Sequence, residues 1–209
     1  MKDVAIVGRL LDYSLVAAIV TFICLGTMRA VGLYARGVQV VAVDRSRTVV
    51  QGLSDLVMVF AFLAWIYEAI AFAWPLRHHL VPSAMRAVLF DSMALRVLGA
   101  LTISAGVGIW LAAMSAMGAS WRVGIDRDAP GALVTRGIFA WTRNPIYVAF
   151  DLLVIGTFLM EGRLVFLVAA LVLLALGHPL IRREERFLAQ VHGAAYAGYC
   201  ARVGRYLTL

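Results

Sequence analysis

The stretch IYVAFDLLVIGTFLMEGRLVFLVAALVLLALG, residues 146–177, decides the fold of this chain. It contains two apolar runs, at 146–160 and 164–177, that are separated only by residues 161–163. Because three residues allow no more than a tight turn, the two runs are predicted to form a helical hairpin. Such long runs with almost no charge are typical of helices that are solvated by lipid.

Three further apolar runs precede the hairpin, at 10–31, 53–74 and 95–117. Each is long enough for a membrane-spanning helix, which needs roughly 20 residues. The composition agrees, since 63% of the residues are hydrophobic and 15% are charged, with a mean hydropathy of +0.88. We predict an all-α polytopic membrane protein with about five transmembrane helices, a C-terminal helical hairpin and a cytosolic amphipathic helix.

The first apolar run could also be read as a cleaved signal peptide. It is long, its flanks mix acidic and basic residues, and no clear small-residue cleavage site follows it. We therefore expect it to be retained as the first helix.

The net charge of +7 comes from eighteen arginines and a single lysine. The positive-inside rule explains this charge in a membrane protein, so no nucleic-acid partner is expected. Counted over the connections between helices, twelve basic residues fall on the side of the C-terminus and five on the other side. The chain is predicted to lie in an inner or plasma membrane, with its N-terminus outside and its C-terminus in the cytosol.

The two halves of the chain differ in composition. Residues 1–117 are predicted to form three N-terminal transmembrane helices, whereas turn formers, charges and aromatic residues are concentrated in 118–209. The two cysteines and four histidines have no metal-ligand spacing, so we expect no metal site. The chemistry should therefore lie in 118–209 and depend on other side chains.

A glutamate pair follows the hairpin, on a helix that is predicted to begin near Leu180 after a break at His178–Pro179. At 100° per residue, Glu184 falls near the middle of the apolar face and Glu185 at its edge. A carboxylate on a face that packs into a membrane bundle usually marks a functional path. Two interpretations remain open: an ion pair with a neighbouring arginine at the interface, or a ligand for a cationic or amine-bearing group.

A turn precedes the hairpin and is delimited by Gly137, which permits a tight backbone turn, and Pro145, which suits the first turn of a helix. It brings Arg143, Asn144 and Tyr147 to the start of that helix. Backbone N–H groups at a helix N-terminus beside an arginine can bind a carboxylate. An ordinary interfacial cap with an aromatic belt is the alternative.

A third polar element near the C-terminus contains Tyr196, Tyr199, Arg202 and Arg205. Tyrosines and arginines near the headgroup plane are commonly membrane anchors. Taken alone, this element does not indicate a function, and its spacing is informative only together with the other two elements.

Together the three elements resemble the isoprenylcysteine carboxyl methyltransferase and phospholipid methyltransferase superfamily of membrane enzymes. The family pattern runs Leu-Val-x-x-Gly-x-Tyr, Arg-His-Pro-x-Tyr, a hydrophobic hairpin, Glu-Glu, and Gly-x-x-Tyr-x-x-Tyr before an arginine. The chain departs from it with Asn144 at the histidine and Phe139 at the first tyrosine. The resemblance covers roughly 118–207, and the matching residues are Leu133, Val134, Gly137, Arg143, Pro145, Tyr147, Glu184, Glu185, Gly193, Tyr196, Tyr199 and Arg205.

The resemblance implies S-adenosylmethionine as the cofactor and an in-line displacement at its sulfonium methyl group. The acceptor would be partitioned into the membrane: an isoprenylcysteine carboxylate-like group, a lipid or a small thiol. Residues 118–209 would then be the catalytic region. The implied catalytic residues are Arg143, Glu184 and Arg205, and the implied cofactor-binding residues are Gly137, Asn144, Pro145, Tyr147, Glu184, Glu185, Tyr196 and Tyr199.

Two alternatives stay open. A membrane reductase of the sterol reductase type would use an arginine-asparagine-proline turn with NADPH, but it would favour additional basic residues over the pair Glu184 and Glu185. A non-catalytic membrane scaffold is favoured by Asn144, because an amide cannot act as a base near neutral pH.

Overall fold

The structure, a computed structural model, describes residues 2–37, 48–74, 76, 78–118, 121 and 131–206, with side chains from residue 6 onward. The described residues contain 3₁₀ turns at Ser83–Arg86 and Gly137–Ala140, and one isolated β-bridge but no β-strand. The predicted all-α class is confirmed. The α-helices are α1 (Lys2–Tyr34), α2 (Val49–Ala73), α3 (Met93–Met117), α4 (Pro145–Glu161) and α5 (Leu164–Cys200).

Four of these helices, α1, α2, α3 and α5, are long and apolar enough to cross a membrane. The fourth in order, α4, has 17 residues, which span about 26 Å against a hydrocarbon core of about 30 Å. The chain is therefore an integral membrane protein, as predicted. Of the predicted C-terminal region, residues 119–120, 122–130 and 207–209 lie outside the described residues.

Small residues bring α3 and α4 into close contact. A Cβ atom added to Gly99 would lie 2.6 Å from the carbonyl oxygen of Gly156, and one added to Gly156 would lie 2.6 Å from Ile103. Both distances are too short for a real Cβ atom, so these positions accept only glycine. Such small-residue contacts are a common way for membrane helices to pack, and this one holds α4 firmly against α3.

The predicted hairpin between α4 and α5 is confirmed. Gly162 ends α4 in the left-handed conformation, with φ of 59°, and its N–H group donates to the carbonyl of Phe158. The carbonyl of Gly162 accepts hydrogen bonds from the backbone N–H groups of Leu89, at 2.7 Å, and Phe90, at 3.3 Å. The turn is thus fixed to the segment that precedes α3.

The predicted helix break at His178–Pro179 is wrong, because α5 runs through Pro179 without interruption. Proline removes one backbone donor from the helix. Leu173 and Ile181 are buried on either side of it, and this packing outweighs the lost hydrogen bond. The departure from helical geometry comes later, at Gly193, where φ is 49° and ψ is −123°.

One end of the bundle, which we call the site end, is where α1 and α3 finish, α2 and α4 begin, and the second half of α5 lies. The opposite end holds the α4–α5 turn and the segment before α3. Which end faces the cytosol stays a prediction. Of the arginines counted for it, Arg45, Arg47, Arg77, Arg122 and Arg127 lie outside the described residues.

Candidate active site

Three segments meet at the site end: the turn at 142–145, the second half of α5, and residues 201–206, which directly follow α5 and which we call the C-terminal segment. The backbone N–H of Arg143 donates to the carbonyl of Gly204 at 3.0 Å. The hydroxyl of Thr142 donates to the carbonyl of Arg205 at 3.2 Å. The start of α4 is therefore fixed by residues that follow it by about sixty positions.

Glu185 lies at the centre of this junction and is 8% exposed. Its Oε1 accepts from Nδ2 of Asn144 at 3.1 Å and lies 3.4 Å from Nη2 of Arg143. Its Oε2 accepts from Nε of Arg205 at 2.9 Å, with Nη2 of the same guanidinium at 2.7 Å. One carboxylate thus joins all three segments through two cations and one amide.

The hydrogen bond to Glu185 raises the pKa of Arg205 above its ordinary value. A two-pronged contact between a guanidinium and a carboxylate is strong and directional. This ion pair attaches the C-terminal segment to α5.

Glu184 is directed differently from its neighbour. It is hydrogen-bonded to Tyr147 of α4, whose hydroxyl donates to the carboxylate. Glu184 borders a cavity inside the bundle together with apolar side chains of the other helices, in keeping with its predicted place on the apolar face. Glu185, which was predicted at the edge of that face, has little accessible surface because the C-terminal segment covers this edge.

A cavity of about 490 Å³ opens beside Glu184. This volume is within the range of about 300–1,000 Å³ that small-molecule sites occupy. Its polar end is formed by Arg143, Asn144, Tyr147, Arg183 and Glu184. Its apolar wall comes from every helix of the bundle and includes Phe22, Ile23, Met58, Phe62, Trp110, Met117, Ile146 and Phe150.

The predicted site residues divide into two groups around this cavity. Those that line it are Arg143, Asn144, Pro145, Tyr147 and Glu184. The others, which surround the first group, are Gly137, Glu185, Tyr196, Tyr199 and Arg205.

The aromatic part of the second group packs as a small cluster. Tyr196 and Tyr199 are buried with Val203 and lie against Leu133 and other apolar side chains. The hydroxyl of Tyr199 donates to the carbonyl of Phe139 at 2.6 Å. The cluster therefore fixes the 3₁₀ turn, which begins at Gly137, against the end of α5.

Arg183 lines the cavity as well, although the sequence analysis did not single it out. Its Nη2 lies 3.0 Å from Oδ2 of Asp55 on α2. The position of Asp55 in the sequence could have indicated such a partner, because a charged residue inside an apolar run normally faces an oppositely charged partner within the bundle. The apolar wall contributed by α1 to α3 had no such indication in the sequence.

The fold and this site define a polytopic helical membrane protein whose cavity joins a charged end to an apolar wall. Residues 94–195 match the family model described as phospholipid methyltransferase. This span covers α3, α4 and most of α5, and so includes the turn at 142–145 and the glutamate pair.

The chain is also similar to protein-S-isoprenylcysteine O-methyltransferase of Saccharomyces cerevisiae, with 32% identity over 111 residues. The alignment covers 52% of this chain and 46% of the yeast protein. The chain thus spans about half the length of the curated relative it matches. The predicted resemblance to the isoprenylcysteine carboxyl methyltransferase and phospholipid methyltransferase superfamily is confirmed.

Proposed function

We propose that this chain is an integral membrane methyltransferase that uses S-adenosylmethionine and methylates an acceptor partitioned into the membrane. The observation that carries the proposal is the cavity, in which a carboxylate and two guanidinium groups border an apolar wall. The matching family model and the yeast relative support it, because both are named as methyltransferases.

The polar end of the cavity fits the charges of the cofactor. The amino-acid part of S-adenosylmethionine carries an ammonium and a carboxylate group, and when bound the cofactor supplies an electrophilic methyl group on its sulfonium. Glu184, oriented by Tyr147, would bind the ammonium group. Arg143 at the start of α4 would bind the carboxylate, as arginine forks commonly do.

Arg205 and Glu185 would act as positioning residues in this scheme. They lie beside the cavity and hold Arg143 and the turn at 142–145 in place. Tyr196, Tyr199 and Gly137 would support the same geometry from the aromatic cluster. The site requires correct positioning more than proton transfer, since displacement at a sulfonium methyl group needs little acid–base catalysis.

The apolar wall would receive the acceptor. Phe22 of α1, Met58 of α2 and Trp110 of α3 line the part of the cavity that lies within the membrane bundle. An acceptor with an apolar body would bury that body here and bring its nucleophile towards the polar end. The apolar surroundings would also exclude water from the reacting atoms.

The cofactor is a cytosolic metabolite, so the proposal requires the site end to face the cytosol and the N-terminus to lie outside. The bias of arginines towards the connections of that end supports this orientation. Labelling Cys200, which is half-buried just before the C-terminal segment, with a membrane-impermeant thiol reagent tests it. Labelling in inverted vesicles but not in intact cells is the expected result.

Binding of S-adenosylhomocysteine to the purified chain in detergent is the primary test. Titration calorimetry should detect binding of S-adenosylhomocysteine but no binding of NADPH. The Glu184→Gln variant should bind S-adenosylhomocysteine at least about tenfold more weakly, because one hydrogen bond to a charged group is lost. Arg186→Gln is the matched control, because Arg186 is exposed on the same helix. Binding of NADPH alone would replace this proposal with a reductase.

A further inference from the structure

The side chain of Asn144 connects two segments through a single nitrogen atom. Its Nδ2 donates to Oε1 of Glu185 at 3.1 Å and to the carbonyl oxygen of Arg205 at 3.0 Å. A side-chain amide carries two N–H groups, so both are engaged in these bonds. The residue is 7% exposed, and water therefore does not compete freely for either donor.

These two bonds close a ring of contacts. Arg205 binds Glu185 through its guanidinium at 2.7 Å, while its carbonyl accepts from Asn144 and also from the hydroxyl of Thr142. The backbone N–H of Asn144 in turn donates to Oγ1 of Thr142 at 3.1 Å. The C-terminal segment is thus held to the turn before α4 and to α5 at the same point.

The amide of Asn144 is a neutral member of the ring that lies among charged groups. Arg143 and Arg205 supply two cations around the carboxylate of Glu185, and Glu184, Tyr196 and Tyr206 are further titratable groups that interact with this carboxylate. An amide neither gains nor loses a proton over the physiological range. A neutral imidazole, by contrast, has one N–H group, and a second appears only on protonation near pH 6.5.

We propose that Asn144 is a positioning residue that holds the C-terminal segment against α5, beside the polar end of the cavity, independently of pH, and that histidine in its place would make this attachment pH-dependent. When it is tested by cofactor affinity, this proposal rests on the proposed function. When it is tested by protection of the backbone amides at 201–206 from hydrogen exchange, it does not depend on that function. Asparagine at this position is then compatible with an active site, because its task is to donate two hydrogen bonds and not to accept a proton.

The test compares the wild type, Asn144→His and the control Trp141→His between pH 5.5 and 8.5. Trp141 is 66% exposed, so the control introduces an imidazole nearby without altering the ring of contacts. Two quantities are measured: the Kd of S-adenosylhomocysteine, and hydrogen exchange of backbone amides at 201–206 relative to wild type at the same pH.

In Asn144→His we expect values near wild type at pH 5.5. At pH 8.5 the Kd should rise about tenfold, the loss of one buried hydrogen bond to a charged group, with faster exchange at 201–206. For the control Trp141→His, the Kd and the exchange rate should keep a constant ratio to the wild-type values at every pH. If both ratios are also constant in Asn144→His between pH 5.5 and 8.5, the proposal is overturned.

A second variant keeps the proposal testable if Asn144→His does not fold. Thr142→Val removes one of the two donors to the carbonyl of Arg205 and introduces no titrating group. Hydrogen exchange of the backbone amides at 201–206 should become faster by the same factor at every pH. An unchanged exchange rate would show that the ring of contacts does not hold the C-terminal segment. If the wild type binds no S-adenosylhomocysteine, the proposed function fails, while the exchange measurements still decide the role of Asn144.

Discussion

The two ends of the bundle both contain buried charge, yet they use it differently. At the opposite end, Glu68 is 1% exposed and accepts hydrogen bonds from the backbone N–H groups of Leu80 and Val81, at 2.6 and 3.2 Å. Nδ1 of His79 lies 2.8 Å from its other oxygen. All three partners come from one short segment, so this carboxylate fixes the path of the chain between α2 and α3.

At the site end the charges come from three different segments, and three of the charged side chains, Arg143, Arg183 and Glu184, border a cavity of about 490 Å³. A second cavity at the opposite end, beside Arg96 and Glu161, has about 150 Å³. A buried carboxylate in a membrane protein therefore does not by itself indicate a ligand site. What distinguishes Glu184 from Glu68 is that it lines a large cavity in which cations and apolar side chains also converge.

The largest expected effect is on Glu184. Replacing it with alanine should reduce transfer of radiolabelled methyl groups by at least about 100-fold, the scale of losing one preorganised electrostatic contact. Membrane insertion and the melting temperature should change little, because the side chain lies at the wall of a cavity. If the Glu184→Ala variant keeps its activity, Glu184 does not bind a ligand, and its role would not differ from the structural role of Glu68.

Arg143→Ala should lower methyl transfer on a similar scale, since Arg143 lines the cavity and also lies 3.4 Å from Glu185. Unlike Glu184→Ala, it should also weaken the hold on the turn at 142–145. Calorimetry with S-adenosylhomocysteine checks the binding, and unchanged affinity in both variants would contradict the assignment of the polar end.

Glu185→Ala should have a large effect on stability. It leaves Arg143 and Arg205 without their shared carboxylate. Because the guanidinium of Arg205 is partly exposed to solvent, the expected cost is about 1–3 kcal/mol, less than for a fully buried ion pair. Thermal unfolding in detergent measures this cost. An unfolding temperature equal to that of the wild type would mean that the three segments are held together by other contacts.

Glu68→Ala tests the opposite end. Two backbone N–H groups would lose their acceptor, which costs about 1–3 kcal/mol for each unsatisfied group. The affinity for S-adenosylhomocysteine should remain that of the wild type. A variant that folds but fails to bind would show that the two ends are coupled.

The smallest expected effect is at Arg202. It is exposed, whereas Arg205, three residues later, binds Glu185. Arg202→Gln should leave methyl transfer within about twofold, as surface substitutions away from specific contacts usually change free energies by less than 0.5 kcal/mol. A larger loss would indicate that Arg202 contacts the acceptor.

The sequence by itself determined the helices. Lipid offers no partner for backbone N–H and C=O groups, so an apolar run such as 164–177 can only form a helix within a bundle. The short separation at 161–163 between two such runs determined the hairpin, and the order of the polar motifs indicated the resemblance to the methyltransferase superfamily. Each of these conclusions rests on neighbouring residues, where local geometry is decisive.

Only the tertiary structure decided how those helices are used. The passage of α5 through Pro179 depends on buried neighbours such as Ile181. The environment of Glu185 depends on Arg205, which lies 20 residues further along the chain. The partnership of Arg183 with Asp55 spans 128 residues. Such contacts depend on how helices pack across the bundle, and helical periodicity describes only one helix at a time.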